Sequence, residues 1–405
     1  MYKFTINFKL NSFMAYVYIV FLFSAILKSV FIYYNINILD LTLLTSVFLS
    51  LDIIFLRLFN SQQKIYYSKA GIISITLFLL FYILCILSLI TTPSKSYSFE
   101  KVFLMLLNVL SILYPIFNRE INIEKFKKSI KYIIIPISIW FIFIYNLRWG
   151  AFSYLINIEN MEKIRANYLV LSSWLGIYIL MLSYKNDFLI NKRIILVVFL
   201  IMLLLGGRGP FLFALVILLF NKNVYKSIVS NKISLKQARI SILLISSMVI
   251  FFLLYFEKII TYLGHGFKRF LYLFDEGGGN SVVARTDLLD FSFYHIFHDS
   301  FFQFLIGHGI GSFNFFLSGE DSRYYPHNIL VEAWFELGVI GFIVLGLFIL
   351  TPFLKKKSAI PLSIIIFLIL NALKTSSFVD IRILYGFFSI YFFSNNLVSS
   401  KQNNE

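Results

Sequence analysis

Charge is what this chain has least of. Only 14% of its 405 residues are Asp, Glu, Lys or Arg, against roughly 25% in soluble domains, and that shortage excludes an ordinary water-soluble globule. Cysteine is nearly missing too. Cys85 stands alone inside an apolar run, which excludes a disulfide framework and a thiolate metal cluster. The N-terminal "MYKFTINFKLNSF" supplies a short basic region, but no small-residue cleavage site follows it; it reads as an uncleaved signal anchor. Internal repeats are absent from the pattern, which argues against the repeated halves common among transporters. Histidine is scarce, and all five (His265, His295, His298, His308 and His327) fall in one interval.

Apolar side chains fill the space that charge leaves. The chain is 59% hydrophobic, and its apolar runs recur along the whole length, each near the ~20 residues that cross a membrane as helix. This predicts an all-α, polytopic membrane bundle: one transmembrane domain over 1–405 with about twelve spans. They are drawn at 13–34, 36–57, 71–91, 102–118, 132–147, 167–183, 194–207, 209–221, 240–256, 328–351, 359–374 and 380–396. With the N-terminus inside, the inner segments hold 22 Lys and Arg and the outer ones 13, Lys101 among the latter, with Lys28 inside the first span. The net charge of +16 is then mostly a topology signal, and nucleic-acid binding is not expected. Lys28, Asp40 and Asp52 lie in the first two spans and either pair structurally or, in a transporter, mark a path.

One join decides the topology. Residues 194–221 form one long helix or two short ones broken at "GGRGP", and the basic segment that follows favours two. Arg208 then sits in a turn below the headgroups, a position tolerated in a protein-lined or watered cavity. The longest polar interval, 257–327, is the only external segment large enough to build a site. It holds two amphipathic pieces, "EKIITYLGHGFKRFLYLF" and "RTDLLDFSFYHIFHDSFFQFL", separated by "DEGGGNSVVA". "IGHGIGSF" follows. It superficially suggests a phosphate loop, but without a preceding strand it reads as a flexible return of the chain. His295 and His298, at i and i+3, offer two metal ligands without a third placed by spacing, so no metal is expected.

"YYPHNILVEAWFELGVIG" opens the tenth span. Pro326 and Asn328 set the helix start, which fixes His327 at its mouth. Asn328, Glu332 and Glu336 share one stripe. Glu332 lies about 7 Å and Glu336 about 13 Å into the helix, where a carboxylate is expected to find a partner. Gly338 and Gly341 allow close approach of another element.

These residues carry a resemblance. "HNILVEAWFELGVIG" is similar to the His-Asn, nine residues, Gly, two residues, Gly signature of the O-antigen ligase and O-antigen polymerase (Wzy-type) superfamily. "GGRGPFLFAL" resembles its Gly-Ser-Arg-Gly segment, with Gly207 where Ser is more usual. "ARTDLLDFSFYHIFHDSFFQFLIGHGIGSF" resembles the Arg-led second half of its large loop and its Gly-x-Gly-x-Gly return, with Leu289 or Phe291 at the family's aromatic position. The match spans roughly Leu203 to Gly341.

The resemblance implies a bundle like that of the GT-C glycosyltransferases. It would move glycan from an undecaprenyl-diphosphate donor to a sugar hydroxyl at the outer, periplasmic face of the inner membrane, with both termini cytoplasmic. No cofactor is implied, and a chain-length regulator protein is a possible partner. Arg208 and Arg285 suit bidentate contact with a diphosphate, and His327 suits a general base with Glu332 as orienting partner and next candidate. Asn328, Arg323 and Tyr325 stand in support. Polymerase is preferred to ligase on "YPHNILVE"; a lipid-glycan flippase is the alternative of another class.

Overall fold

A computed structural model of the chain describes residues 2–36, 40–59, 68–118, 120–147, 158–184, 188–220, 280–355 and 360–393. Every regular element among them is helical. Eleven of the twelve expected spans coincide with helices, and the twelfth, 240–256, lies outside the described residues, as does the amphipathic piece 257–274. Among the described residues, five helical stretches are long and apolar enough to cross a membrane, and five more are shorter apolar helices. Phe143, Leu196 and Leu219 stand exposed on such helices, which in a bilayer places them against lipid.

The chain divides into two compact units. One comprises Met1–Lys28, Ile38–Phe126 and Asn280–Glu405. Its helices are most of α1 (Tyr2–Tyr33), α2 (Leu41–Phe59), α3 (Lys69–Leu87) and α4 (Ser96–Phe117), then, after the undescribed segment, a later group. The other unit comprises Ser29–Asn37 and Lys127–Gly279. It holds a π-helical turn at Ile130–Ile134, α6 (Ile135–Leu147), α7 (Ile158–Ile164), α8 (Asn167–Leu182), α9 (Phe188–Leu205) and α10 (Arg208–Leu219), while the short α5 (Ile123–Ser129) runs across the boundary.

In the second unit α8 is the centre. From Leu171 to Leu182 nearly every side chain is buried, as expected of a helix apolar all round, and α6, α9 and α10 pack on it. The two-helix reading of 194–221 holds: the chain breaks after α9 at Gly206, whose φ is +78°, and restarts at Arg208.

The later helices of the first unit are α11 (Asn280–His298), α12 (Phe301–Ile306), α13 (Phe313–Ser318), α14 (Ile329–Leu350), α15 (Leu362–Thr375) and α16 (Arg382–Phe393). Of these, α16 packs on the earlier α4, and both α11 and α12 pack on α14. Leu288, Ile296, Phe313, Val331 and Phe335 form the buried cluster where α11 and α13 meet α14. Ser300 starts α12 with a capping box, its hydroxyl accepting from Gln303 N–H, so the second amphipathic piece is two helices with a break at Asp299–Ser300.

Three charges from the first two spans are now accounted for. Lys28 pairs with Asp40 at 2.5 Å. Asp40 also accepts from Thr42 N–H at the start of α2, while Asp52 accepts from the Tyr114 hydroxyl at 2.6 Å. Lys101 requires a correction. Its place at the edge of an apolar run reads as an outer-loop charge, but α4 begins at Ser96 and encloses it. Its side chain has no exposed surface.

Candidate functional site

The helix α14 is interrupted where its sequence allows it. Gly338 has φ +67° and ψ −171°, a conformation that a residue with a Cβ adopts only under strain. Such a break deprives the preceding carbonyls of their helical partners, and the glycine return supplies new ones. His308 N–H donates to Phe335 O and Gly309 N–H to Glu336 O, both at 2.9 Å. Gly311 N–H reaches the Glu336 carboxylate. Backbone contact is close enough that a Cβ at Gly307 would lie 2.3 Å from the Glu336 carbonyl carbon, and one at Gly338 2.2 Å from Leu305 O. "IGHGIGSF" is therefore a buried brace against α14 rather than a flexible return. Its glycine amides at 309 and 311 are spent on the protein itself, which also disposes of the phosphate-loop look.

Below this brace lies a buried ionic group. Lys101 Nζ donates to Glu332 Oε1 at 2.6 Å and to both oxygens of Glu336 at 2.7 Å. The expected stripe is thus real, and its partner comes from α4. Glu332 also accepts from the Ser377 hydroxyl at 2.6 Å and from Phe378 N–H at 2.9 Å. Those bonds tie the turn between α15 and α16 to α14. Glu332 is consequently enclosed and fully engaged, an arrangement that suits positioning better than proton transfer.

At the mouth of α14, Asn328 caps the helix, its side-chain oxygen accepting from Leu330 N–H at 3.0 Å and Val331 N–H at 3.2 Å. The preceding residue, His327, has φ +59°. Its Nδ1 faces the Thr375 carbonyl at 3.4 Å, so Nδ1 carries the hydrogen and Nε2 the lone pair. Burial, with the Arg285 charge in addition, holds this imidazole below its ordinary pKa despite the opposing Thr375 carbonyl. Arg285 itself is half-buried on α11.

The loop that delivers His327 is pinned at both ends. Asp321 accepts from Ser94 Oγ at 2.6 Å and from the amides of Lys95, Ser96 and Tyr97 at the start of α4. Arg323 Nη2 donates to both oxygens of Asp380 at 2.6 Å. Tyr325 lies against His327 with ring centroids 4.7 Å apart. Burial, and then the Asp380 carboxylate, push its phenol up to about 12, so it stays a neutral donor.

The first unit therefore brings together His327, Arg285, Tyr325, Asn328 and Arg323, with Glu332 deeper on the same helix. Lys101, Thr375, Ser377 and Asp380 were not marked by the sequence; the two glutamates on one stripe were the signal that a buried cation had to exist. A second polar cluster joins His295, Asp299 and His308, with Asp299 Oδ2 at 2.9 Å from His295 Nδ1 and 2.7 Å from His308 Nε2. Spacing had suggested His298 instead, but its ring bonds the Tyr294 carbonyl and is exposed.

Arg208 belongs to the second unit, half-buried at the start of α10, with its amide on Gly206 O at 3.0 Å. The neighbouring Gly207 explains the departure from Gly-Ser-Arg-Gly. A Cβ there would lie 2.2 Å from Ser172 Oγ and 2.4 Å from Ser172 Cβ, because α8 carries its serine where the other pattern puts one. Gly207→Ser is expected to cost about 1–3 kcal/mol by overpacking, measured by thermal unfolding. Ser172→Gly in the same chain should restore most of the loss; no rescue would mean that the contact is not the cause.

No curated protein matches the chain. Residues 193–346 match the family model described as O-Antigen ligase, a stretch that includes Arg208, Arg285, His327, Glu332 and the α14 break. With an all-helical membrane fold around those residues, the match supports membership of the O-antigen ligase and polymerase superfamily and, with it, a glycosyltransferase-like role in O-antigen synthesis.

Proposed function

We infer that the chain is the polymerase of this superfamily, joining undecaprenyl-diphosphate-linked oligosaccharide repeat units into O-antigen or capsular polysaccharide at the periplasmic face of the inner membrane. The observation that carries the mechanism is the imidazole at the mouth of α14, with Nδ1 on the Thr375 carbonyl. Its Nδ1–H is held by a carbonyl and its Nε2 lone pair is left for a substrate proton, while an arginine adds positive charge nearby.

In this reading His327 Nε2 takes the proton from the attacking sugar hydroxyl. The hydroxyl oxygen forms the new glycosidic bond as the bond to the donor's diphosphate breaks, and the electron pair leaves on the diphosphate. Arg285 balances the charge that accumulates there, a stabilisation that grows toward the transition state. The same chemistry is assigned to Arg208 on its sequence setting. Tyr325 donates a hydrogen bond to substrate oxygens, and Arg323 holds the loop through Asp380. Glu332 orients the Ser377–Phe378 turn, which follows Thr375. No metal is invoked in the transfer.

The pH dependence tests this assignment. A base works when deprotonated, so the rate rises as pH passes upward through its pKa, and a depressed pKa moves that rise to lower pH. With purified protein and lipid-linked repeat unit, the acidic limb of the rate profile is expected below the ordinary histidine value near 6.5. Arg285→Gln should slow the reaction and shift the limb upward. Arg285→Lys keeps the charge but not the planar fork, and should slow the reaction without moving the limb. A limb unaffected by Arg285→Gln, with turnover undiminished, would remove Arg285 from the site and leave the base unsupported.

A further inference from the structure

The cluster on α11 has chemistry that the transfer reaction does not use. His308 is buried, with 1% of its side chain exposed, and both of its ring nitrogens face acceptors. Nδ1 lies 3.0 Å from the Phe335 carbonyl and Nε2 2.7 Å from Asp299 Oδ2. A carbonyl only accepts, so Nδ1 carries a hydrogen, and a neutral ring then turns a lone pair toward the carboxylate. A hydrogen or a metal cation must therefore lie between Nε2 and Oδ2. His295 meets the same oxygen from another side, its Nδ1 at 2.9 Å. One ligand atom from each of the three residues converges within 4.8 Å of the others.

We propose that His295, Asp299 and His308 bind one divalent transition-metal ion of the zinc class, with a further position open to water. Two imidazoles and a carboxylate are ligands that zinc accepts. The Phe335 carbonyl on His308 Nδ1 is the outer partner that orients a ligating imidazole and raises its basicity. Zinc bonds of about 2.0–2.2 Å in tetrahedral array set neighbouring ligand atoms roughly 3.3 Å apart, so on loading the two nitrogen–oxygen pairs open by a few tenths of an ångström and the two nitrogens, within 4.8 Å of each other, draw together. Asp299 sits in the break between α11 and α12, where that adjustment meets least resistance. Side-chain exposures of 21% at His295 and 25% at Asp299 give the ion a way in. The bound ion clamps α11 to the glycine brace, and through His308 to the interrupted turn of α14. It thereby steadies the stretch that begins near Arg285 and ends at His327.

The test uses the full chain in detergent, without a polyhistidine tag, stripped with EDTA and titrated with ZnCl2. One equivalent should bind, and the thermal unfolding midpoint should rise with zinc concentration. CoCl2 in place of zinc should give the visible absorption of a four-coordinate nitrogen and oxygen site. His295→Gln and Asp299→Asn should abolish the zinc-dependent rise and weaken binding beyond the ~100-fold that loss of an outer partner costs. His298→Gln, one turn further along α11, should keep both. If His308→Gln fails to fold, the His295 variant and the wild-type titration still decide. Absence of a zinc-dependent shift in the wild-type chain, or an equal shift in His295→Gln, overturns the proposal and leaves a hydrogen-bond network held by protons.

Discussion

His327→Asn is expected to slow glycan transfer by about 10²–10⁴-fold, the usual range for loss of a general base, while donor binding and folded yield remain at wild-type levels. Asparagine is the informative replacement because His327 has φ +59°, a region that asparagine enters more readily than most residues. The backbone therefore keeps its course, and an amide cannot take the proton. Asn328→Ala supplies the contrast. It removes the cap on Leu330 and Val331, costing about 1 kcal/mol, and leaves the imidazole present. Near wild-type turnover in His327→Asn would exclude the base and make Glu332 the next residue to replace. Donor binding lost together with turnover would make His327 a ligand of the diphosphate.

The second large effect is one of stability. Lys101→Met should destabilise the protein by about 3–5 kcal/mol, because removing one partner of a buried ionic group leaves charge without compensation. Here two carboxylates depend on a single ammonium, and Glu332 is also the acceptor that holds the Ser377–Phe378 turn. Replacing all three together, as Lys101→Met, Glu332→Gln and Glu336→Gln, should recover much of the loss, since no ionic group then remains buried. The comparison is read as thermal unfolding in detergent. A single Lys101→Met variant as stable as the wild type would show that the three groups are not bound to one another as described.

Much of the fold is legible in the sequence because lipid imposes one rule on every span. Backbone groups in hydrocarbon must be satisfied within the segment, so long apolar runs become helices whatever surrounds them. Runs such as 71–91 and 328–351 accordingly mark α3 and α14. Local chemistry is legible too: Asn328 reads as a cap from its place before an apolar run, and "GGRGP" reads as a break.

What escapes the sequence is contact over distance. Nothing near Glu332 names Lys101, which lies 231 residues earlier, and a lysine at the edge of a run looks like a loop charge. Helical spacing pairs His295 with His298, yet the brace brings His308 to His295 instead through Asp299. The interruption at Gly338 is hidden for a similar reason. A glycine in an apolar run is most often a packing residue, and only the brace docked against it explains φ +67°.

The most direct measurement supplies purified protein with undecaprenyl-diphosphate-linked repeat unit and no other acceptor. The expected result is a ladder of products spaced by one repeat unit, formed by the wild type and lost in His327→Asn. Product that appears only when lipid A core is added, with a single polysaccharide transferred and no ladder, would contradict the polymerase reading and make the chain a ligase.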